Sequence, residues 1–356
     1  MSKKIKGSYL LNAVGVALVF ALLTGLFAAN AFGTSTTYIQ GICTTACYTI
    51  IMVTSLNLVV GFMGEFSMGH AGFVSVGAYV SAIVSGALAG HGLSDLALLL
   101  VAILAGGLAA GIMGVAVGIP ALRLRGDYLA IVTLAFGEII ADLINCLLVG
   151  YDASGLHILF NVSGTKTIDD LGLDATGYAI IKGAQGATGT ATIATFTAGF
   201  VLVMITLIVV LNLTRSRAGR AIMAIRDNRI AAQAIGLNLT KYKLMAFVTS
   251  AALAGAAGAL FGLNYSSLQA TKFNFNLSIL VLVFVVLGGL GNIWGSLVAA
   301  AALTILPEAL RQFSDFRMLI YAIVLIFVML ATNNPQAKAF FQRLLPHHRA
   351  SAEKED

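Results

Sequence analysis

Residues 216–236 read SRAGRAIMAIRDNRIAAQAIG, a polar helical segment set between two long apolar runs. Arg217, Arg220, Arg226 and Arg229 fall inside it, in a chain that is 59% hydrophobic and only 10% charged. Such a basic cluster decides which way a membrane protein lies, because cytoplasmic loops retain Lys and Arg. The surroundings are unambiguous. A mean hydropathy of +0.94, with apolar runs recurring along most of the sequence, makes this a polytopic membrane protein. Abundant glycine (38) and scarce proline (4) suit helices whose backbones approach through small residues.

Working outward from that segment, apolar runs place spans at 9–30, 38–60, 68–89, 94–118, 128–149, 191–212, 243–264, 277–290, 293–307 and 318–332. The expected fold class is all-α, a membrane bundle of about ten transmembrane helices with both termini cytoplasmic. Residues 1–8 and 333–356 are then cytoplasmic tails around a transmembrane domain at 9–332. Ten spans put Lys3, Lys4, Lys6, Arg123, Arg125, the cluster from Arg215 to Lys243, and the basic residues of the tail on one side. That side holds 16 of the 21 Lys and Arg residues, and removing one span would scatter them. Five spans per half also permit inverted five-helix repeats. The N-terminus, with Lys3, Lys4 and Lys6 before an apolar run and then Ala29-Asn30-Ala31, has a signal-like pattern. Its long run and the spans that follow make an uncleaved first helix the expectation.

The outside segment, 150–190, is rich in Gly, Thr and Asp and too polar for the bilayer. It contains SGTKT, but no GxxxxGK[ST] occurs anywhere, so the chain has no recognisable means of hydrolysing a nucleotide. No metal site is expected. Cys43, Cys47 and Cys146 lie in apolar runs, Cys43 and Cys47 share a helix face without acidic or imidazole company, and His347 and His348 alone do not make a metal site. The net charge of +6 is explained by topology and is no nucleic-acid signal.

Within the cytoplasmic loop at 214–243, Ala221, Ile222, Met223, Ala224 and Ile225 form an apolar stripe at helical spacing. Asn228 can cap a second short helix that Gly236 ends. Two such helices can lie on a membrane, enter a partner's groove, or simply tether two spans. GRAIMAIRDNRIAAQAIGLNLTKYKLMAFVTSAALAGAAGALFG, residues 219–262, resembles the permeases of branched-chain amino acid ABC importers, specifically the LivM-type subunit. Ala231-Ala232-x-x-x-Gly236 resembles the loop through which import permeases dock their ATPase, with Arg229 and Ile230 where an acidic residue is common. The resemblance implies coupling roles for Gly219, Arg220, Ala221, Ala224, Ile225, Arg226, Asn228, Ala231, Ala232 and Gly236.

The resemblance extends from about residue 50 to 335 through three further blocks. NLVVGFMGEFSMGHAGFVSVGAYVSA, 57–82, matches a glycine- and histidine-bearing block whose glycines permit a broken entry to the third span. There Ser67 can cap the helix, and its free N–H groups can meet a substrate carboxylate. His70 is either a wall of the pathway or a structural histidine bonded to a neighbouring helix, and Glu65 is expected to be solvated. GDYLAIVTLAFGEIIADLINCLLVG, 126–150, places Glu138 about 16 Å into its helix, with Asp142 one turn on. That carboxylate is either an interhelical clamp or a site for a substrate ammonium, since charge at such depth must face protein or water. Phe275-Asn276-Leu277-Ser278 opens the eighth span much as Glu65-Phe66-Ser67 opens the third, and LGGLGNIWGSLVAA, 287–300, permits a tight corner. FRMLIYAIVLIFVMLATNNPQA resembles the family's closing helix, with Gln336-Ala337 in place of its usual ending. The candidate translocation-path residues are therefore Asn57, Gly64, Ser67, Gly69, His70, Gly77, Glu138 and Ser278.

The resemblance implies a non-catalytic subunit in a bacterial inner membrane, with no cofactor of its own. Its partners would be a second related permease, two ATP-binding cassette subunits that hold Mg-ATP, and a periplasmic binding protein. Leucine, isoleucine and valine lead as substrates, with urea and short amides the alternative in related permeases. A secondary transporter using Glu138 and Asp142 as a proton relay is the rival from another class.

Overall fold

The computed structural model describes Thr24 and residues 36–333, except 90, 91, 125, 153, 162–164, 175, 176, 314 and 315. The expected first span, Thr24 apart, and both expected tails, Asn333 apart, lie outside the described residues. Helix α1 (Thr36–Asn57) continues as a π-helical turn, Leu58–Met63, and is followed by α2 (His70–Leu88), α3 (Asp95–Ala121) and α4 (Asp127–Asn145). Strands β1 (Leu147–Asp152), β2 (Gly155–Phe160), β3 (Tyr178–Lys182) and β4 (Ala187–Thr188) come next. Then follow α5 (Phe196–Arg215), α6 (Arg217–Asp227), α7 (Arg229–Ala234), α8 (Leu239–Gly262), β5 (Ser267–Leu268), α9 (Phe275–Gly288), α10 (Ile293–Ala309) and α11 (Arg317–Asn333). Six of the described helices are long and apolar enough to cross a membrane, and α9 and α10 are shorter apolar helices. The protein is a multi-pass membrane protein.

Small residues determine the packing. Helix α3 turns Ala102, Gly106, Ala110, Gly114 and Gly118 inward, while Leu96, Leu100, Leu104, Leu108 and Ile112 stand exposed on the opposite side. The inner stripe meets α8, whose Gly255 backbone lies so close to Gly77 of α2 that a Cβ at Gly77 would overlap it. Gly77, a candidate path residue, therefore sits where α2, α3 and α8 converge. Close backbone approach substitutes for a hydrophobic driving force that lipid removes. Helix α1 runs through the middle of the bundle and is buried nearly throughout.

The expectation of an all-α chain is corrected by a five-stranded sheet, in the order β2-β1-β3-β4-β5. Strands β1 and β2 form an antiparallel hairpin from Leu147↔Phe160 to Asp152↔Gly155. Strand β5 comes from the α8–α9 connection and pairs with β4, which ties the segment to the bundle. Sequence reading saw only polarity here, because the strands are short and the last pairs, Ala187↔Leu268 and Thr188↔Ser267, join residues far apart in the chain and are fixed by nothing local.

Asp152 locks the hairpin turn. Its Oδ1 accepts from the Ser154 hydroxyl at 2.6 Å and from the Ser154 and Gly155 amides at 2.8 and 3.1 Å, with His157 3.1 Å from Oδ2. The Ser154 hydroxyl bond is the main cause that holds this carboxyl well below its ordinary value of 3.8, and the amide and His157 bonds add to it. A depressed acid stabilises the fold above its unfolded value and loses that contribution as pH falls through the folded one. Protection factors of the described amides in 147–160, with the intrinsic pH dependence of exchange divided out, are expected to stay constant around neutrality and to fall below pH 3.8 as the carboxylate takes up its proton. Asp152→Asn is expected to remove that dependence.

Candidate functional site

Helices α6 and α7 form a capped hairpin at the basic end of the bundle. Ser216 accepts from Gly219 N at 3.1 Å and starts α6. Asn228 accepts from Ala231 N at 3.0 Å and starts α7. Gly219, Ala221, Ile222, Ile225 and Ala232 face inward, and Ile225 and Ala232 form a small core with Leu239, Leu237 and Tyr242. Arg220, Ala224, Asn228, Ala231 and Gly236 are exposed. The coupling residues named from sequence thus divide into a buried set that holds the hairpin and an exposed set available to a partner. Two residues absent from that set stand out most: Ile230 is 81% exposed and Ile235 75%. An isoleucine on the polar side of a short basic helix was the available signal.

Arg226 turns back into the bundle. Its Nε and Nη2 donate to Asp227 Oδ1 at 3.0 and 2.9 Å, and its Nη1 donates to the Gly61 carbonyl at 2.8 Å. Gly64 lies under the arginine stem, with φ 75°. Beside it Glu65, expected to be solvated, instead pairs with Lys243 of α8, and their side chains are only 15% and 8% exposed. A partner 178 residues away is not visible in local sequence.

Asn57, fully buried, joins this end of α1 to the corner between α9 and α10. Its Oδ1 accepts from Gly291 N at 2.9 Å, and its Nδ2 donates to Ser296 Oγ at 2.9 Å and to Asn292 O at 3.3 Å. Gly61 touches Gly291 backbone to backbone, so that a Cβ at 61 would overlap it.

Elsewhere in the bundle, the first turns of α2 and α9 meet as a seam. The break expected before the third span is present, but α2 starts at His70 and its N-cap is Gly69, which packs on the Thr133 backbone. Ser67 does not cap it: its hydroxyl is buried with no hydrogen-bond partner among the described residues. The cap comes from another helix, since Ala71 N donates to Ser278 Oγ at 3.0 Å. Met68 N donates to Thr133 Oγ1 at 3.1 Å, so this amide and that of Ala71 are engaged within the chain. His70 is buried; the Ser55 hydroxyl donates to Met52 O, leaving Ser55 Oγ to accept from His70 Nε2 at 2.9 Å. This is the structural arrangement of the two considered for His70. Glu138 Oε1 accepts from Phe275 N at 3.2 Å, linking α4 to the first turn of α9 in the manner of a clamp. Met68, Ala71, Gly137, Glu138, Phe275 and Ser278 enclose a narrow crevice there.

An open recess of about 830 Å³ lies at the other end of the bundle, among Thr44, Thr45, Thr195, Asn264, Tyr265 and Glu308. None of the candidate path residues lines it. The serine assignment is testable. Ser278→Ala should cost about 1 kcal/mol, the worth of a cap, and Ser67→Ala less than about 0.5 kcal/mol, read from thermal midpoints in detergent.

The family model described as "Branched-chain amino acid transport system / permease component" matches residues 38–330. The chain belongs to this permease family. The match runs from α1 into α11 and contains both the hairpin and the seam. Among permease relatives, the high-affinity branched-chain amino acid transport system permease protein LivM of Escherichia coli (strain K12) is 35% identical over 287 residues, 79% of this chain. The aligned part spans 65% of that relative's length. LivH of Salmonella typhimurium, named as a permease of the same kind of system, is 26% identical over 281 residues, 77% of this chain and 84% of its own. The ribose import permease protein RbsC of Haemophilus influenzae is 32% identical over 123 residues, 32% of this chain and 38% of its own. No solved structure shows a significant match to the chain.

Proposed function

We propose that this permease is the non-catalytic membrane subunit of an ABC importer for leucine, isoleucine and valine in a bacterial inner membrane. In this reading it has ten spans and cytoplasmic termini, binds no cofactor, and shares the translocation path with a second permease. Two ATPase subunits holding Mg-ATP drive it from the cytoplasm, and a periplasmic binding protein delivers the amino acid. The observation that carries the reading is the hairpin: a capped, basic element that presents Ile230 and Ile235 to water, in a chain of this family. Isoleucines exposed to that degree on a short helix are suited to a partner's groove.

Two further observations support it. Glu138 and Asp142 are exposed along α4, beside Ile131, Ala135 and Ile139. Carboxylates on a membrane helix face protein or a water-filled cavity, as a path between two permeases would provide. The bond from Phe275 N to Glu138 also favours a clamp over the proton relay of a secondary transporter.

The test is uptake of labelled leucine and labelled urea in cells lacking this chain, with and without its return. Leucine uptake that depends on the chain and stops with vanadate is expected. Uptake that survives vanadate and collapses with an uncoupler would replace this reading with a secondary transporter; urea uptake alone would change the substrate.

A further inference from the structure

The carbonyls in the last turn of a helix lack intrahelical donors, and a cation placed there also meets the negative end of the helix dipole. At the end of α1 the π-helical turn gathers two donors on one acceptor: Gly64 N and Glu65 N both reach Val59 O. The Gly61 carbonyl instead receives Arg226 from the coupling hairpin. Asp227 engages the other edge of the guanidinium and orients the fork, a double engagement that a lysine cannot reproduce. Arg226 thus spends these donors on its own chain.

What lies behind Gly61 gives the contact its consequence. Gly61 rests on Gly291, and Asn57 bonds Gly291, Asn292 and Ser296, so this end of α1 and the α9–α10 corner form one hydrogen-bonded block. From that corner α9 runs as a rigid rod of 14 residues to the seam, where Phe275 bonds Glu138 and Ser278 caps α2. Interdigitated backbone contacts without side chains between them leave little room to absorb a displacement locally.

We propose that Arg226 is the positioning residue that transmits movement of the coupling hairpin to the seam inside the membrane, through Gly61, the Gly291 corner and α9. The proposal rests on the importer reading and adds to it a specific mechanical route. An ATPase that displaces α6 displaces the end of α1 only as far as this contact holds. The seam, where the first turns of two helices meet, is the element that the displacement would open or close.

The experiment uses the complete transporter, purified through this chain with whatever permease and ATPase subunits accompany it, in proteoliposomes supplied with ATP and labelled leucine. Leucine transported per ATP hydrolysed is the readout, with hydrogen exchange at Ala71 and Phe275 measured in the presence and absence of ATP and vanadate. Arg226→Ala is expected to lower leucine transported per ATP hydrolysed about tenfold and to abolish the ATP-dependent exchange change at the seam. Arg226→Lys should recover part of the coupling, because it keeps a donor for Gly61 but loses the fork. Should the alanine protein fail to fold into the membrane, the lysine protein carries the same readouts. Loss of hydrolysis and copurification in step with uptake would make Arg226 a docking contact and overturn the proposal, as would an unchanged leucine-to-ATP ratio. A parent protein that brings down no ATPase refutes the importer reading itself, a result distinct from either.

Discussion

Lys243→Met is expected to destabilise the protein by about 3–5 kcal/mol, the cost of leaving a buried charge without its partner. The Lys243 and Glu65 side chains retain only 8% and 15% of their exposure, so water cannot replace the lost ammonium. The pair joins the irregular segment after the π-helical turn to the second turn of α8, close to where Arg226 enters. Removing both charges is a different matter. A Glu65→Leu, Lys243→Met double variant should return to within about 1–2 kcal/mol of the parent, because the desolvation cost of two ions disappears together with their attraction. Trp294, the single tryptophan, sits in the first turn of α10 and reports unfolding in detergent by its fluorescence. A single variant that melts with the parent would mean that the ion pair is solvated after all.

Gly236→Val is expected to reduce leucine uptake by about tenfold or more while membrane insertion stays normal. Gly236 has φ 82°, its N–H donates to Gln233 O at 3.0 Å, and Leu237 N donates to Ala232 O at 3.1 Å. These are the two bonds of a Schellman motif, and Leu237 completes it by packing on Ile225, Ala232 and Leu239. There is open space around a Cβ at this position, so the penalty is conformational and not steric crowding by neighbours. A β-branched residue held at positive φ costs on the order of 1–3 kcal/mol, comparable with everything that stabilises a six-residue helix. Unwinding α7 removes the surface that carries Ile230 and Ile235. Gly236→Asn, which tolerates the left-handed region, should transport nearly as well as the parent. Uptake by the valine variant equal to that of the parent would reduce the hairpin to a tether.

The local half of this site was readable in the sequence. Ser216, Asn228, Asn238, Asn274 and Asn292 each accept a bond from an amide three residues on, and each begins a helix near a position where polarity or periodicity pointed. The apolar runs likewise located the described helices to within a few residues, because hydrophobic length is a property of the chain alone. Where the reading departed from the structure, the partner was distant. Ser67 has the residue type and spacing of a cap, yet the cap of α2 is Ser278, 207 residues further on from Ala71. Glu65 looked like a boundary charge for the same reason. Strands β4 and β5 are two residues each, too short to leave a periodic trace.

Taken by itself, then, the order of amino acids established a membrane bundle, a basic face and a capped amphipathic hairpin near its middle, since hydropathy, charge and helix capping act over a few neighbouring residues. The tertiary structure alone decided that Arg226 bonds Gly61, that Glu65 has Lys243, that Glu138 accepts from the first turn of α9, and that the polar segment carries strands of a sheet. Those outcomes depend on which helices become neighbours, and glycine-to-glycine contact, as at Gly77 and Gly255, sets that by fit between whole surfaces and not by any signal within one of them.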